Sequence, residues 1–235
     1  MRPGHRCRVA GWAAALVALA ALAGPPARAD APAPPEPWTA VQAASAAGAP
    51  ELPGWRCRQR IDLPGTPATQ AAVCRRSGDA ASPELKLLLV QQPPDAAPPR
   101  ELARLRDASQ AELRLFLPPR PCAGSAPCLD GVLLVDQRDE SSCYGTQVLV
   151  LAASRPPRPI GFIEEVRELD GSLACIGAVA SVSGTADGVL ISLPPPLLRM
   201  GRDGKPRTLP AGGVDYRIAA AKPALQRQVL RRATQ

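Results

Sequence analysis

Between Cys143 and Leu193 the chain carries its densest run of strand-forming residues, and that run limits the fold to one built on β-structure. Residues 145–152 read GTQVLVLA, a Val- and Leu-rich stretch that suits a strand buried on both faces. The segment RPPRP at 155–159 is expected to interrupt the ladder, because proline has no N–H to donate. Residues 160–168 and 172–181 flank Asp170-Gly171, the dipeptide favoured in a two-residue hairpin turn. Counting outward from that turn sets Glu168 opposite Leu173, Val166 opposite Cys175, Glu164 opposite Gly177 and Phe162 opposite Val179. Phe162, Val166, Leu173, Cys175 and Val179 then form an apolar face, with Glu164 and Glu168 on the same side. A further turn is expected at Ser183-Gly184. Asp187-Gly188 leads into a strand at 189–193, which Pro194 to Pro196 end.

The N-terminus explains how the cysteines are to be read. Arg2, Arg6 and Arg8 precede an apolar stretch at 9–24, and Ala27-Arg28-Ala29 has the form of a cleavage site. Residues 1–29 thus read as a secretory signal peptide, with a mature chain starting at Asp30. The apolar stretch of roughly 15 residues is shorter than the about 20 a membrane-spanning helix needs. No later segment is long and apolar enough to span, so the expected product is exported, periplasmic or extracellular, with no membrane span in the mature chain.

Cys7 leaves with the signal peptide, and Cys57, Cys74, Cys122, Cys128, Cys143 and Cys175 remain. An even set in an exported chain favours disulfides over metal sites. Cys57 and Cys74 are equidistant from Gly65-Thr66, so a hairpin there brings them together. Cys122 and Cys128 close a short loop, and Cys143 pairs with Cys175 by elimination; the first and third pairings remain exchangeable. The sole histidine, His5, also lies in the signal peptide. A mature chain without histidine has no Ser-His-Asp or Cys-His unit and no His-ligated metal. The expectation is therefore no catalytic residue, no cofactor and no metal.

Charge excludes a further class. Residues 1–29 hold four of the 28 basic residues and none of the 21 acids, which leaves the remainder at a formal charge of +3. Nucleic-acid binding calls for a clustered basic stripe with stacking aromatics. Here Trp38, Trp55, Phe116, Tyr144, Phe162 and Tyr216 are scattered, so no nucleic-acid partner is expected.

In chain order, residues 30–54 are Pro- and Ala-rich and read as a flexible leader with a helical turn or two between Thr39 and Ala47. Residues 55–235 form the expected single domain. Strands are expected at 55–62, 69–76 and 84–91. Alternation places Arg56, Arg58 and Arg60 on one face of the first, with Arg75 nearby, as a candidate basic patch for an anionic ligand or acidic partner. Leu102, Leu105, Leu113 and Phe116 approximate a helical stripe and predict one internal helix over 100–117; the rival reading makes 111–117 a strand. A strand at 132–136 and an acidic turn with Asp136, Asp139 and Glu140 follow. A closing pair of short strands and a last helix from Pro223 to Arg232 complete the chain.

The fold class expected is mainly β (α+β): an antiparallel sheet or partly closed barrel with one internal and one short C-terminal helix, disulfide-bridged. The functional expectation is a non-catalytic exported protein that works by binding: an envelope adaptor, inhibitor or accessory subunit with a protein or envelope partner. The alternatives are a histidine-free hydrolase using Glu164 and Glu168 as a carboxylate pair, and a structural envelope component.

Overall fold

The computed structural model describes residues 34–47, 52–64, 69–77, 84–91, 97–105, 110–121, 127–138, 143–152, 155–169, 172–200, 206–209 and 212–230. The expected signal peptide lies outside them, as do Asp139, Glu140 and the Asp170-Gly171 turn. Among the described residues every regular element is a strand. The chain begins with β1 (Glu36–Pro37), β2 (Thr39–Gln42) and β3 (Ala44–Ser45), then runs through β4 (Trp55–Leu63), β5 (Thr69–Arg76), β6 (Lys86–Gln91) and β7 (Arg100–Arg104). The middle holds β8 (Gln110–Leu117), β9 (Gly131–Arg138), β10 (Cys143–Ala152) and β11 (Arg155–Ile163). Then come β12 (Glu165–Leu169), β13 (Ser172–Gly177), β14 (Ser181–Thr185), β15 (Gly188–Leu193), β16 (Leu198–Met200), β17 (Pro206–Thr208), β18 (Val214–Ala219) and β19 (Leu225–Val229).

These strands form four open antiparallel sheets, not a closed barrel. An N-terminal sheet has the order β3-β4-β5-β6-β7, a central sheet β11-β10-β9-β8-β2, and a C-terminal sheet β1-β14-β15-β18-β19; a small sheet has the order β13-β12-β16-β17. The three five-stranded sheets stack as layers, with the central one covered on both faces. Leu113, Leu115, Leu133, Val135 and Leu149 point from it into a core shared with Ile61, Ala71, Val73 and Leu87 of the N-terminal sheet. Phe116, Val132, Leu134, Val148 and Ile163 point the other way, against Val182, Ile191, Val214 and Ile218 of the C-terminal sheet. Burying each large aliphatic side chain contributes about 1.5–3 kcal/mol, so a strand with both faces covered collects that term at nearly every residue. This is why residues 145–152 read as apolar throughout.

No helix forms in 100–104 or 110–117. The first segment is an edge strand and the second lies inside the central sheet. The helical spacing of Leu102, Leu105, Leu113 and Phe116 is incidental: Leu113 and Phe116 face different cores. The helix-forming residues yield to tertiary packing. The rival reading of 111–117 as a strand agrees with β8. The expected C-terminal helix is also a strand, with Ile218 opposite Leu225 and Val214 opposite Val229.

RPPRP does not break the ladder either. It begins β11, which pairs with β10 as an edge strand through Leu149 opposite Pro159 and Val150 opposite Arg158, with register shifts at two points. An edge strand tolerates proline because the missing N–H faces away from the neighbour. Ser183-Gly184 lies within β14, and the turn instead falls at Ala186-Asp187, between the partners Thr185 and Gly188. In the β12–β13 hairpin, Leu169 faces Ser172. A register shift then sets Glu168 opposite Cys175 and Val166 opposite Gly177, two residues from the expected pairing. Phe162 pairs with Gln147 of β10 instead of Val179, and Glu164 lies outside the ladder.

The segment read as a flexible leader has a different role. Residues 36–45 supply one edge strand to each of the three stacked sheets: β1 pairs with β14, β2 with β8 and β3 with β4. Two single residues cross between layers. Trp38 packs against the core between the C-terminal and central sheets, and Ala43 against the core between the central and N-terminal sheets. Gly184 makes room for the indole, since a Cβ there would lie 2.9 Å from Trp38 Nε1.

The disulfide Cys57–Cys74 forms as expected, across directly opposed positions of β4 and β5. Cys128 is also disulfide-bonded. Cys122 and the side chains of Cys143 and Cys175 lie outside the described residues.

Candidate functional site

The face of the central sheet that packs on the C-terminal sheet changes character along its strands. At one end it carries Phe116, Val132 and Val150; at the other it carries Glu112 and Arg114 on β8, Asp136 and Arg138 on β9 and Thr146 on β10. Cross-strand register lines these up, with Glu112 opposite Asp136 and Asp136 opposite Thr146. Gln42 of β2 stands opposite Arg114. Gln42, Glu112, Arg114, Asp136, Gln137 and Arg138, together with Gly177 of β13, line a cleft of about 240 Å³.

Asp136 is the fixed point of the cleft. Its Oδ2 accepts a hydrogen bond from Arg114 Nε at 2.8 Å, and Arg114 Nη2 lies 2.7 Å from the same oxygen without hydrogen-bond alignment. Its Oδ1 accepts from Thr146 Oγ1. Arg114 also donates through Nη1 to the carbonyl of Val179 at 3.1 Å, and its guanidinium sits 5.9 Å from the Phe116 ring centroid. A largely buried ion pair with further hydrogen bonds on both partners is held in one geometry. Gly177 permits this, because a Cβ at that position would lie 1.9 Å from Asp136 Oδ1. Glu112 is exposed and Arg138 half-buried, and neither makes an ion pair or a side-chain hydrogen bond among the described residues. The cleft thus presents a compensated pair at its floor and one unpaired charge of each sign at its rim. Two hydrogen bonds and the ion pair fix the Asp136 carboxylate as a positioned acceptor at the floor of the cleft.

Glu164 falls at the break between β11 and β12. It is exposed, with its carboxylate on Arg199, whose Nε lies 2.9 Å away. The side chain of Glu168 lies outside the described residues. Ordinary alternation runs through the break, with buried Ile163 and Glu165 on either side of exposed Glu164. Glu165, not Glu164, is the enclosed carboxylate: it accepts from Tyr216 Oη at 2.6 Å and from Arg227 Nε at 2.8 Å. Sequence reasoning passed over it because the Glu164-Glu165 doublet does not say which of the two faces inward.

The arginines of β4 are divided as well. Arg56 stands directly opposite Arg75, whereas Arg60 stands opposite Ala72 on the other face of the sheet, where it is buried. The register shift between Cys57 and Gln59 breaks the row, and Arg58 falls within it. Gln59 turns inward and its Oε1 accepts from the Leu113 amide at 2.9 Å. Asp136, expected in an acidic turn, lies within β9 instead. Among the described residues no group of three or more His, Cys, Asp or Glu is placed to hold a metal ion, and no helix is long and apolar enough to cross a membrane. No family model matches the chain, and neither curated proteins nor solved structures yield a match.

Proposed function

We propose that this chain is an exported, non-catalytic binding protein, and that its ligand site is the cleft between Glu112 and Arg138. The observation that carries this reading is the rim: two opposite charges without partners among the described residues, beside an ion pair whose geometry is already fixed. A volume of about 240 Å³ lies below the roughly 300–1,000 Å³ of drug-sized sites, so the ligand group is about the size of an amino acid. A small zwitterion matches both rim charges, its cationic group toward Glu112 and its anionic group toward Arg138. The Cys57–Cys74 bond supports export, since such bonds persist in oxidising compartments. The Arg-Ala-rich N-terminus with Ala27-Arg28-Ala29 supports the same route.

The test is a thermal-shift screen of the oxidised chain against free amino acids and dipeptides, followed by calorimetry. Glu112→Gln and Arg138→Gln should each abolish the shift produced by the best ligand while leaving the unliganded melting temperature within a degree or two. A ligand that stabilises both variants as well as it does the parent removes this site from the account. Recovery of the ligand unchanged after long incubation is the expected mark of binding without turnover.

A further inference from the structure

The end of the N-terminal sheet carries a second feature, about which the cleft says nothing. Arg56 and Arg75 are directly opposed across β4 and β5, one register step from the Cys57–Cys74 disulfide. Directly opposed like charges disfavour the pairing of their strands. Such a pair is normally relieved by a carboxylate, yet neither arginine makes an ion pair or hydrogen bond among the described residues. Arg75 is half-buried, and its Nε is enclosed with no hydrogen-bond partner. Arg56 is exposed, so the pair remains open on one side. Arg76, the next residue, alternates to the opposite face of the sheet and takes no part.

We propose that Arg56 and Arg75 form a phosphate-binding site, in which one oxyanion bridges the two guanidiniums. The chemistry follows from the donors. Two planar forks a cross-strand distance apart, on the order of 5 Å between Cβ atoms, match an anion with several acceptor oxygens in different directions. A phosphate removes the like-charge repulsion and supplies the acceptor that the sheet does not. The neighbouring disulfide holds β4 and β5 at fixed spacing, so the two arginines are positioned before the anion arrives. The site is separate from the cleft and stands without it.

The experiment uses the full oxidised exported chain. Its melting temperature is measured in inorganic phosphate and in sodium chloride at equal ionic strength, and phosphate affinity is read by calorimetry. Phosphate should raise the melting temperature above the chloride control. Arg56→Gln and Arg75→Gln should each weaken binding by about tenfold or more, the loss expected when a charged hydrogen bond is removed. In chloride alone, Arg56→Gln should be as stable as the parent or more so, because the opposed charge is gone. Glu112→Gln should leave the phosphate response intact, which separates this site from the cleft. Sedimentation with anionic phospholipid vesicles distinguishes the two sources of the group. Vesicle binding that both Arg variants lose points to a lipid headgroup, and a response to inorganic phosphate alone points to a free ligand. Equal responses to phosphate and chloride overturn the proposal, as does an undiminished response in both Arg variants.

Discussion

Tyr216 donates its phenolic hydrogen to Glu165 Oε2 at 2.6 Å inside the molecule, where Glu165 is fully buried. Arg227 of the edge strand β19 closes the group from the other side at 2.8 Å, so three strands from two sheets meet on one carboxylate. Removing the acceptor strands both donors. Glu165→Ala should cost about 3–5 kcal/mol, the range for breaking a buried pair, whereas Tyr216→Phe should cost about 1–3 kcal/mol. Urea unfolding of the two single variants and the double variant measures both, and a double-mutant cycle without coupling contradicts the contact.

The same pair sets a pH dependence. Burial, and then the hydrogen bond to Glu165, push the Tyr216 phenol well above its ordinary value. The folded chain keeps this proton at pH values where the unfolded chain, with an ordinary tyrosine pKa of about 10, has lost it. The stabilisation is complete below pH of about 10 and declines as pH rises beyond it, by at most about 1.4 kcal/mol per pH unit. Tyr216→Phe should flatten that decline. An identical alkaline slope in parent and variant contradicts the assignment.

Residues 36–45 should behave as part of the folded unit. Trp38→Ala should cost about 2 kcal/mol or more, less than the roughly 3–5 kcal/mol of a fully enclosed aromatic because the indole is only half-buried. Deleting 34–45 uncovers β14, β8 and β4 together. Open strand edges template association, so this variant should self-associate in size-exclusion chromatography; a monomer with the parent's melting temperature contradicts the role.

Gly177→Ala tests the floor of the cleft. The added methyl must displace Asp136, so stability should fall by about 1–3 kcal/mol and the ligand-induced shift should disappear with it. Loss of stability without loss of binding dissociates the two.

Reducing Cys57–Cys74, or replacing both residues with alanine, should lower stability by about 3 kcal/mol for a loop of this length. The readout is the shift in the guanidinium midpoint. The sequence favours this pairing through a local hairpin near Gly65-Thr66 but leaves it exchangeable with the third; the register shift between Cys57 and Gln59 sets the two cysteines opposite each other.

What the sequence determined by itself is what rests on neighbouring residues. The strands expected at 55–62, 69–76, 132–136 and 145–152 follow from their apolar runs and flanking turn formers, and each falls within an observed strand; antiparallel pairing follows from the short connections. Tertiary structure alone decided which strand is an edge and which is covered on both faces. That choice admits RPPRP into β11, turns 110–117 and 225–229 into strands, and makes the Pro- and Ala-rich residues 36–45 the shared edge of three layers. It also decided the sites. Glu112, Asp136 and Thr146 come from three strands and meet only through register. Glu165 is enclosed because Tyr216 and Arg227, from strands distant in sequence, close on it. Arg56 faces Arg75 because one register shift in β4 divides a row of arginines that alternation alone would place together. Each outcome depends on pairing between residues distant in sequence, and local propensity and periodicity carry no record of it.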